Sequence, residues 1–255
     1  MAESTCALCG GTGWKIVEKA GLSGAARCEC ATDARLRSIK ESAGVPANYA
    51  NATLDNFIVP QDNPAARAGL GTVLMQVRAF VREFPAENRP GLLLVGDPGT
   101  GKTHLAVAAF RTLLEKGHEG VFFDYQNLLD RIRASFDSAS GASDREAYRS
   151  ALDSELLLLD DLGSHRVTDW VEDTVTQIIT YRCNHRKPLI ATTNLPDEDI
   201  TGNMLGYRDA GGVAVNRRNL ADAIGMRARS RLFEMCRVVR MPAVEDYRIQ
   251  TRVAR

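Results

Sequence analysis

The sequence predicts an α/β fold in which a parallel β-sheet is flanked by helices and preceded by a small cysteine-rich module. Three observations support this prediction. Short apolar runs alternate with longer helical patterns, a glycine-rich loop joins the first of these runs to a helix, and four of the six cysteines lie near the amino terminus. Alternation of strands and helices is typical of βαβ units, which build parallel sheets.

Composition limits the classes of protein that the chain can belong to. It has 255 residues, of which 44% are hydrophobic and 25% charged, with 32 basic and 32 acidic side chains. These values exclude a mostly disordered chain and a uniformly basic nucleic-acid-binding protein. Positive charge is concentrated in residues 201–255, which hold eleven arginines, no lysine and five acidic residues.

Three segments are expected, in a cytoplasmic protein with no membrane partner. No apolar stretch reaches the roughly 18 residues of a membrane span, and the first residues lack a secretory apolar core. The segments are a cysteine-rich module over 1–33, a helical linker and entry segment over 34–88, and a nucleotide-binding core over 89–255.

The core is expected to contain four or five strands with helices between them. The predicted strands are Gly91–Val95, Gly120–Tyr125, Leu156–Asp160, Leu189–Thr193 and, as a fifth, Val238–Met241. The predicted helices are Arg67–Glu83, Thr103–Lys116, Leu128–Phe136 and Asp169–Asn184. Glycine and other small residues predict loops at Ser135–Asp144 and Thr201–Val215.

The strongest motif is GDPGTGKT, which fits the phosphate-loop pattern G-x-x-x-x-G-K-[ST] and joins a predicted strand to a predicted helix. Its backbone N–H groups and the helix amino end favour phosphate binding. Lys102 is expected to reach the β- and γ-phosphates of ATP, and Thr103 to hold Mg²⁺. The predicted ATP-binding residues of this phosphate loop are Gly96, Asp97, Pro98, Gly99, Thr100, Gly101, Lys102 and Thr103.

Polar residues at the ends of two other strands complete the predicted catalytic set. Asp160 and Asp161 follow an apolar run, so Asp160 is expected to hold Mg²⁺ and Asp161 to orient or deprotonate the attacking water. Asn194 ends the next strand and is expected to hydrogen-bond the γ-phosphate or that water. The alternative is that these residues are solvated turn residues.

Three motifs resemble those of AAA+ ATPases in their order along the chain: GDPGTGKT, LLLLDDLG and LIATTNLP. The carboxyl-terminal segment is similar to that of the DnaC/DnaI/IstB-like helicase-loader group, with the sequence GMRARSRLFEMCRVVRMPAVEDYR. The resemblance covers about residues 46–255 and implies a reduced or absent helical lid. It implies that Arg231 acts as an arginine finger in a neighbouring subunit, assisted by Arg227, and that Arg248 is a sensor arginine. Many AAA+ proteins have glutamate at the second acidic position, where this chain has Asp161.

Three further contacts are expected, each with a structural alternative. In TLDNF, Phe57 resembles a residue that packs on adenine, although a core aromatic residue would give the same pattern. Arg131 and Arg133 lie on a predicted helix in the region where these ATPases contact DNA, although an ordinary amphipathic helix is an alternative.

The cysteines Cys6, Cys9, Cys28 and Cys30 form two closely spaced pairs separated by 18 residues. Four thiolates suit tetrahedral Zn²⁺, so the pattern predicts a zinc-ribbon-like module. The alternatives are unligated thiols and an iron–sulfur cluster. Cys183 and Cys236 are expected to be buried apolar residues.

The resemblance implies an ATPase that oligomerises with its arginine finger in trans, binds single-stranded DNA and loads a replicative hexameric helicase. The expected cofactors are ATP, Mg²⁺ and Zn²⁺. One alternative is a transposition helper that assembles on duplex DNA and recruits a transposase. A second is a nucleotide-gated adaptor with negligible turnover.

Overall fold

The computed structural model describes residues 6–19, 21–60, 63–135, 142–197, 218–244 and 246–247. Within them lie an antiparallel pair of strands and a parallel five-stranded sheet with the strand order β4-β5-β6-β3-β7. The strands are β1 Trp14–Lys19, β2 Leu22–Arg27, β3 Gly91–Val95, β4 Gly120–Asp124, β5 Leu156–Asp160, β6 Leu189–Thr193 and β7 Cys236–Arg240.

Helices cover both faces of the five-stranded sheet. They are α1 Glu29–Ser42, α2 Pro64–Glu83, α3 Lys102–Glu115, α4 Tyr125–Ala134, α5 Ala142–Asp153, α6 Asp169–Asn184, α7 Leu220–Ile224 and α8 Met226–Met235. Each face of the sheet contributes to its own apolar cluster, and every residue of β3 and β6 is buried. This two-sided burial explains why the central strands are continuous apolar runs instead of alternating ones.

Several predicted elements have the expected bounds. Strands β3, β5 and β6 and helix α6 match their predicted ranges residue for residue. Helix α4 was predicted to begin at Leu128 but begins at Tyr125, because the Asp124 side chain accepts a hydrogen bond from the Asn127 N–H and caps the helix. Strand β7 begins two residues before the predicted Val238.

The prediction of a loop over Ser135–Asp144 was wrong at its end, because α5 begins at Ala142. The helix was missed because the small and polar residues at its start, Ala142–Asp144, continue the pattern that predicted a loop, although Ala147, Tyr148, Ala151 and Leu152 pack against the core at helical spacing. The other predicted loop, Thr201–Val215, lies outside the described residues.

Helix α1 connects the amino-terminal hairpin to the core. It begins at Glu29, between Cys28 and Cys30, and its buried Ile39 lies in one of the two core clusters. Just after it, the Ala43 carbonyl accepts a hydrogen bond of 2.8 Å from the Phe122 N–H of β4. The expected boundary at residue 33 therefore falls inside a continuous helix.

After β7 the chain runs back over the phosphate loop instead of forming a separate helical domain in the part that the structure describes. The Met241 N–H donates to the Val95 carbonyl at 2.8 Å, and the Tyr247 N–H donates to the Gly99 carbonyl at 3.3 Å. Among the described helices, none has both the length and the apolar character needed to cross a membrane.

The fully buried side chain of Arg182 on α6 joins the segments that lead into β5 and β6. Its guanidinium donates to the carbonyls of Ala151 at 3.0 Å and Ser154 at 3.1 Å, and to that of Pro188 at 2.6 Å. Burial lowers the pKa of Arg182 to about 9, so the group stays charged at neutral pH. The Pro188 carbonyl also accepts a hydrogen bond of 3.2 Å from the Leu157 N–H, so this one side chain adds to the main-chain bonds that join β5 and β6.

Replacing Arg182 with methionine is expected to destabilise the core. Each carbonyl left buried without a donor costs about 1–3 kcal/mol, so the loss is about 3 kcal/mol or more. At roughly 2–4 °C per kcal/mol for a chain of this size, the Tm falls by about 6–12 °C in a thermal unfolding scan. The matched change at the exposed Arg37 of α1 leaves Tm nearly unchanged. Equal Tm values for the two variants would contradict a stabilising role for Arg182.

Candidate functional site

The phosphate loop, Gly96–Thr103, connects β3 to α3 at the carboxyl edge of the sheet. Gly101 has a φ of +92°, a left-handed conformation that glycine adopts without strain. The position that a Cβ would take at Gly101 is 2.6 Å from Cε2 of Phe57, so a side chain has no room there. Lys102 is buried, and its Nζ donates to the Asp97 carbonyl at 2.7 Å.

Asp160 lies at the end of β5, beside the first turn of α3. Its Oδ1 accepts hydrogen bonds from the Thr103 hydroxyl at 3.0 Å and the Thr192 hydroxyl at 2.6 Å. Burial raises the pKa of Asp160 above its ordinary value, and the two hydroxyl donors act in the opposite direction. A hydroxyl and a carboxylate oxygen side by side are ligands that suit Mg²⁺, so the donor set fits the expected cation.

Asp161 adopts a left-handed backbone conformation with a φ of +58°, which is uncommon outside glycine and costs conformational energy. The Thr192 hydroxyl accepts a hydrogen bond of 2.9 Å from the Asp161 N–H, and Asn194 Nδ2 donates to Asp161 Oδ1. Asp160, Asp161 and Asn194 are therefore brought together, as their positions at strand ends predicted.

A cavity of about 810 Å³ lies over this cluster. Phe57 lines it and stands 5.6 Å from the His104 ring, with the two ring planes tilted by 54°. The His104 side chain contacts the Thr53 carbonyl at 3.0 Å, which ties the entry segment to α3. The predicted site residues that line the cavity are Phe57, Pro98, Gly99, Thr100, Gly101, Lys102, Thr103, Asp160, Asp161 and Asn194.

Sequence reasoning missed Thr192, which contacts both acidic residues. Its signal was present, because two threonines end an apolar strand that lies next to the strand ending in Asp160. The contacts of Tyr247 and Asp246 with Gly99 had no comparable signal, since they depend on the path of the chain after β7.

The arginines expected to act in trans do not line the cavity of their own chain. Arg227 and Arg231 are exposed on α8, and Arg231 Nη1 pairs with Glu234 Oε2 at 2.6 Å. Arg248, the expected sensor arginine, lies outside the described residues.

Both candidate DNA-contacting arginines pack against aromatic rings. The guanidinium of Arg131 is 5.7 Å from the centroid of the Phe123 ring, and that of Arg133 is 4.8 Å from the centroid of the Trp170 ring. At about 100° per residue the two side chains leave α4 in nearly opposite directions, and Arg131 contacts a ring of β4 while Arg133 contacts a ring of α6.

The four amino-terminal cysteines meet at one point, with all four sulfur atoms within 4.8 Å of one another. The Sγ–Sγ distance is 3.8 Å between Cys6 and Cys28 and 3.4 Å between Cys9 and Cys30. Tetrahedral zinc with Zn–S bonds of about 2.3 Å requires sulfur separations of about 3.8 Å. The cluster therefore fits zinc.

The backbone favours thiolate at one of these ligands. The Gly13 N–H donates to Cys9 Sγ at 3.4 Å and lowers the pKa of Cys9 to about 6. Hydrogen bonding to Cys9 raises the pKa of Cys30. Adjacent thiolates repel one another, and a divalent cation between them would remove that repulsion.

Fold and site together define a P-loop nucleotide-binding protein of the AAA+ class. The sequence profile of the family described as IstB-like ATP binding protein matches residues 76–253, and the chain belongs to this family.

Among proteins with curated descriptions, the chain is similar to the uncharacterized protein YqaM of Bacillus subtilis (strain 168), with 26% identity over 68% of this chain and 56% of YqaM. It is also similar to the replicative helicase loader DnaC of Escherichia coli (strain K12), with 26% identity over 65% of this chain and 64% of DnaC. The chain thus spans less than two thirds of the length of either relative.

Solved structures agree with the family. The crystal structure of a DnaC helicase loader is 34% identical, with a TM-score of 0.61, and the match covers 77% of this chain and 100% of that one. DnaI, at 18% identity and a TM-score of 0.56 over 81% and 98% of the two chains, shows the fold alone. The same holds for replication initiator DnaA bound to AMPPCP and single-stranded DNA, at 18% identity and a TM-score of 0.54 over 80% and 54%.

We expect the cysteine cluster to bind one zinc ion per chain, and Cys28→Ser to abolish that binding, because Cys28 supplies one of the four sulfur ligands. A chromogenic chelator assay and elemental analysis measure the metal. Cys183→Ser is the matched control, since Cys183 lies far from the cluster in sequence and does not belong to it. Iron with acid-labile sulfide, or no metal after growth with zinc, would contradict the assignment.

Proposed function

We propose that this chain is an ATPase that loads a replicative helicase onto DNA. The observation that carries the proposal is the joint placement of the phosphate loop with Asp160, Asp161 and Asn194 beside one cavity, in a chain 34% identical to a DnaC helicase loader. The relationship supports the loader class, and the geometry supports nucleotide hydrolysis. The chain is proposed to consist of a docking module over 1–33, a linker over 34–88 and an ATPase core over 89–255.

In the proposed reaction ATP and water give ADP and phosphate. Lys102 and the loop N–H groups would hold the phosphates. Thr103 and Asp160 would hold Mg²⁺, which would supply positive charge beside the transferred group. Asp161 takes a proton from the attacking water, and Asn194 keeps the Asp161 carboxylate oriented. The hydrogen bond between Asn194 and Asp161 supports this division of roles.

Oligomers are proposed to complete the site. The exposed Arg227 and Arg231 would reach the nucleotide of the next subunit, where a cation stabilises the charge of the transition state. Their exposure and their absence from the cavity lining of their own chain support action in trans. ATP binding would order the oligomer on single-stranded DNA, which Arg131 and Arg133 contact, and hydrolysis would release it.

The amino-terminal module is proposed to dock the helicase. Its hairpin leaves large apolar side chains in solvent: Ile16 is 81% exposed, Leu22 76% and Trp14 53%. Trp14 and Ile16 lie two residues apart on one face of the hairpin, and exposed apolar side chains grouped in this way are typical of protein–protein contact sites.

Asp161→Asn is expected to lower the turnover of ATP by about 10²–10⁴-fold, because it removes the proposed general base. Asparagine tolerates the left-handed conformation at this position, so the fold is retained. Steady-state phosphate release and the binding of a fluorescent ATP analogue separate the loss of turnover from retained affinity. Asp173→Asn, on the exposed surface of α6, is the control. Unchanged turnover in the Asp161 variant would rule out its role.

Ile16→Asp is expected to weaken helicase binding about 30-fold, the equivalent of about 2 kcal/mol for an apolar anchor. Binding to the purified replicative helicase of the source cell is measured by biolayer interferometry. Met75→Asp is the control, because Met75 is also exposed, at 66%, but lies on α2. Equal binding by both variants would contradict docking through the hairpin, and selective capture of a transposase on duplex DNA would favour a transposition helper.

A further inference from the structure

Arg229 lies on α8, the helix that also carries Arg231, and it pairs with Asp197, three residues after Asn194. Arg229 Nε donates to Asp197 Oδ2 at 2.6 Å, and Arg229 Nη2 donates to Asp197 Oδ1 at 2.7 Å. Asp197 is only 2% exposed, and Arg229 also lies 4.4 Å from the centroid of the Phe233 ring. Two parallel hydrogen bonds on a planar guanidinium fix orientation as well as distance.

The strand end that carries Asp197 is itself firmly held. Thr193 Oγ1 donates to the Leu162 carbonyl at 2.8 Å, next to the acidic pair, and the Leu195 N–H donates to Thr193 Oγ1 at 3.1 Å. The Pro196 carbonyl accepts a hydrogen bond of 2.9 Å from the Leu220 N–H at the start of α7. Asp197 is therefore fixed relative to the nucleotide cavity.

Helix α8 is held by a buried apolar stripe and by the ion pair between Arg229 and Asp197. Its buried stripe consists of Ala228, Leu232 and Met235. At about 100° per residue, Arg229 lies on one flank of this stripe and Arg231 on the other. Because the ion pair prevents α8 from rolling about its axis, it also sets the direction in which Arg231 leaves the helix.

We propose that Arg229 and Asp197 are a positioning pair that aims Arg231 at the nucleotide of the neighbouring subunit. The proposal rests on the trans arginine of the proposed function. Arg229 does not line the nucleotide cavity of its own chain. It acts by orienting α8. Its substitution should therefore lower activity when made in the subunit that donates Arg231, and not when made in the subunit that hydrolyses ATP.

Subunit mixing tests this assignment. A donor carries Asp161→Asn, so it still binds ATP and keeps Arg231 but has lost nearly all of its own turnover. An acceptor carries Arg231→Ala, so it keeps its own nucleotide cavity but lacks the arginine. Each is inactive alone, and mixing them with ATP, Mg²⁺ and single-stranded DNA restores turnover in acceptor sites that receive a donor arginine. If this unmodified mixture stays inactive, the trans arginine itself is wrong.

Asp197→Asn is then placed in one partner at a time. In the donor it is expected to lower the restored kcat about tenfold or more, because misplacing a positioned group by about 1 Å costs up to about 10²-fold. The KM for ATP stays the same, since the acceptor cavity is untouched. In the acceptor the same change leaves the restored kcat nearly unchanged. Equal loss in both positions, or no loss in either, would overturn the proposal.

Two further variants separate positioning from folding. Asp197→Asn with Arg229→Gln removes both charges while keeping polar side chains of similar shape, and it is used if the single change fails to fold. It is expected to show the same asymmetry between donor and acceptor. Glu115→Gln in the donor is the matched control, because Glu115 of α3 pairs with Lys40 of α1 at 2.9 Å, and its loss is expected to leave the restored kcat unchanged.

Discussion

The Asp160 carboxylate is the point on which the site depends. Two hydroxyls donate to the same oxygen, one from the first turn of α3 and one from β6, so a single carboxylate at the end of β5 joins three elements. Parallel strands make this possible because their carboxyl ends share one edge of the sheet. A buried carboxylate needs such donors, since without them burial would strongly favour its neutral form.

The same edge also orders the second acidic residue. Asp161 is held in a left-handed conformation by the hydroxyl of Thr192, and its side chain accepts a hydrogen bond from Asn194, the residue after β6. Backbone strain at one residue is thus balanced by hydrogen bonds from the neighbouring strand. Substitutions in β6 would therefore affect the positions of both Asp160 and Asp161, although only the end of the strand lines the cavity.

The central fold could be predicted because its signals are local. Strands buried on both faces are continuous apolar runs, and the phosphate loop has a defined pattern, so β3, β5 and β6 were found with their bounds. Helix α5 has a short apolar stripe of Ala147, Tyr148, Ala151 and Leu152, but it begins among small and polar residues that are equally typical of a loop, so its start could not be predicted. Contacts between distant segments, such as Arg229 with Asp197 or Tyr247 with Gly99, depend on the path of the chain and could not be predicted from either segment alone.

Helix α1 gives the amino-terminal hairpin a rigid mechanical connection. Its 14 residues begin between two cysteines of the cluster and end one residue before Ala43, which is hydrogen-bonded to β4. At 1.5 Å per residue the helix is about 21 Å long, so a small rotation at one end displaces the other end by several ångströms. A tilt of about 10° at the core end moves the cysteine end by about 4 Å, which turns a small rotation at the sheet into a displacement comparable to the spacing between neighbouring β-strands.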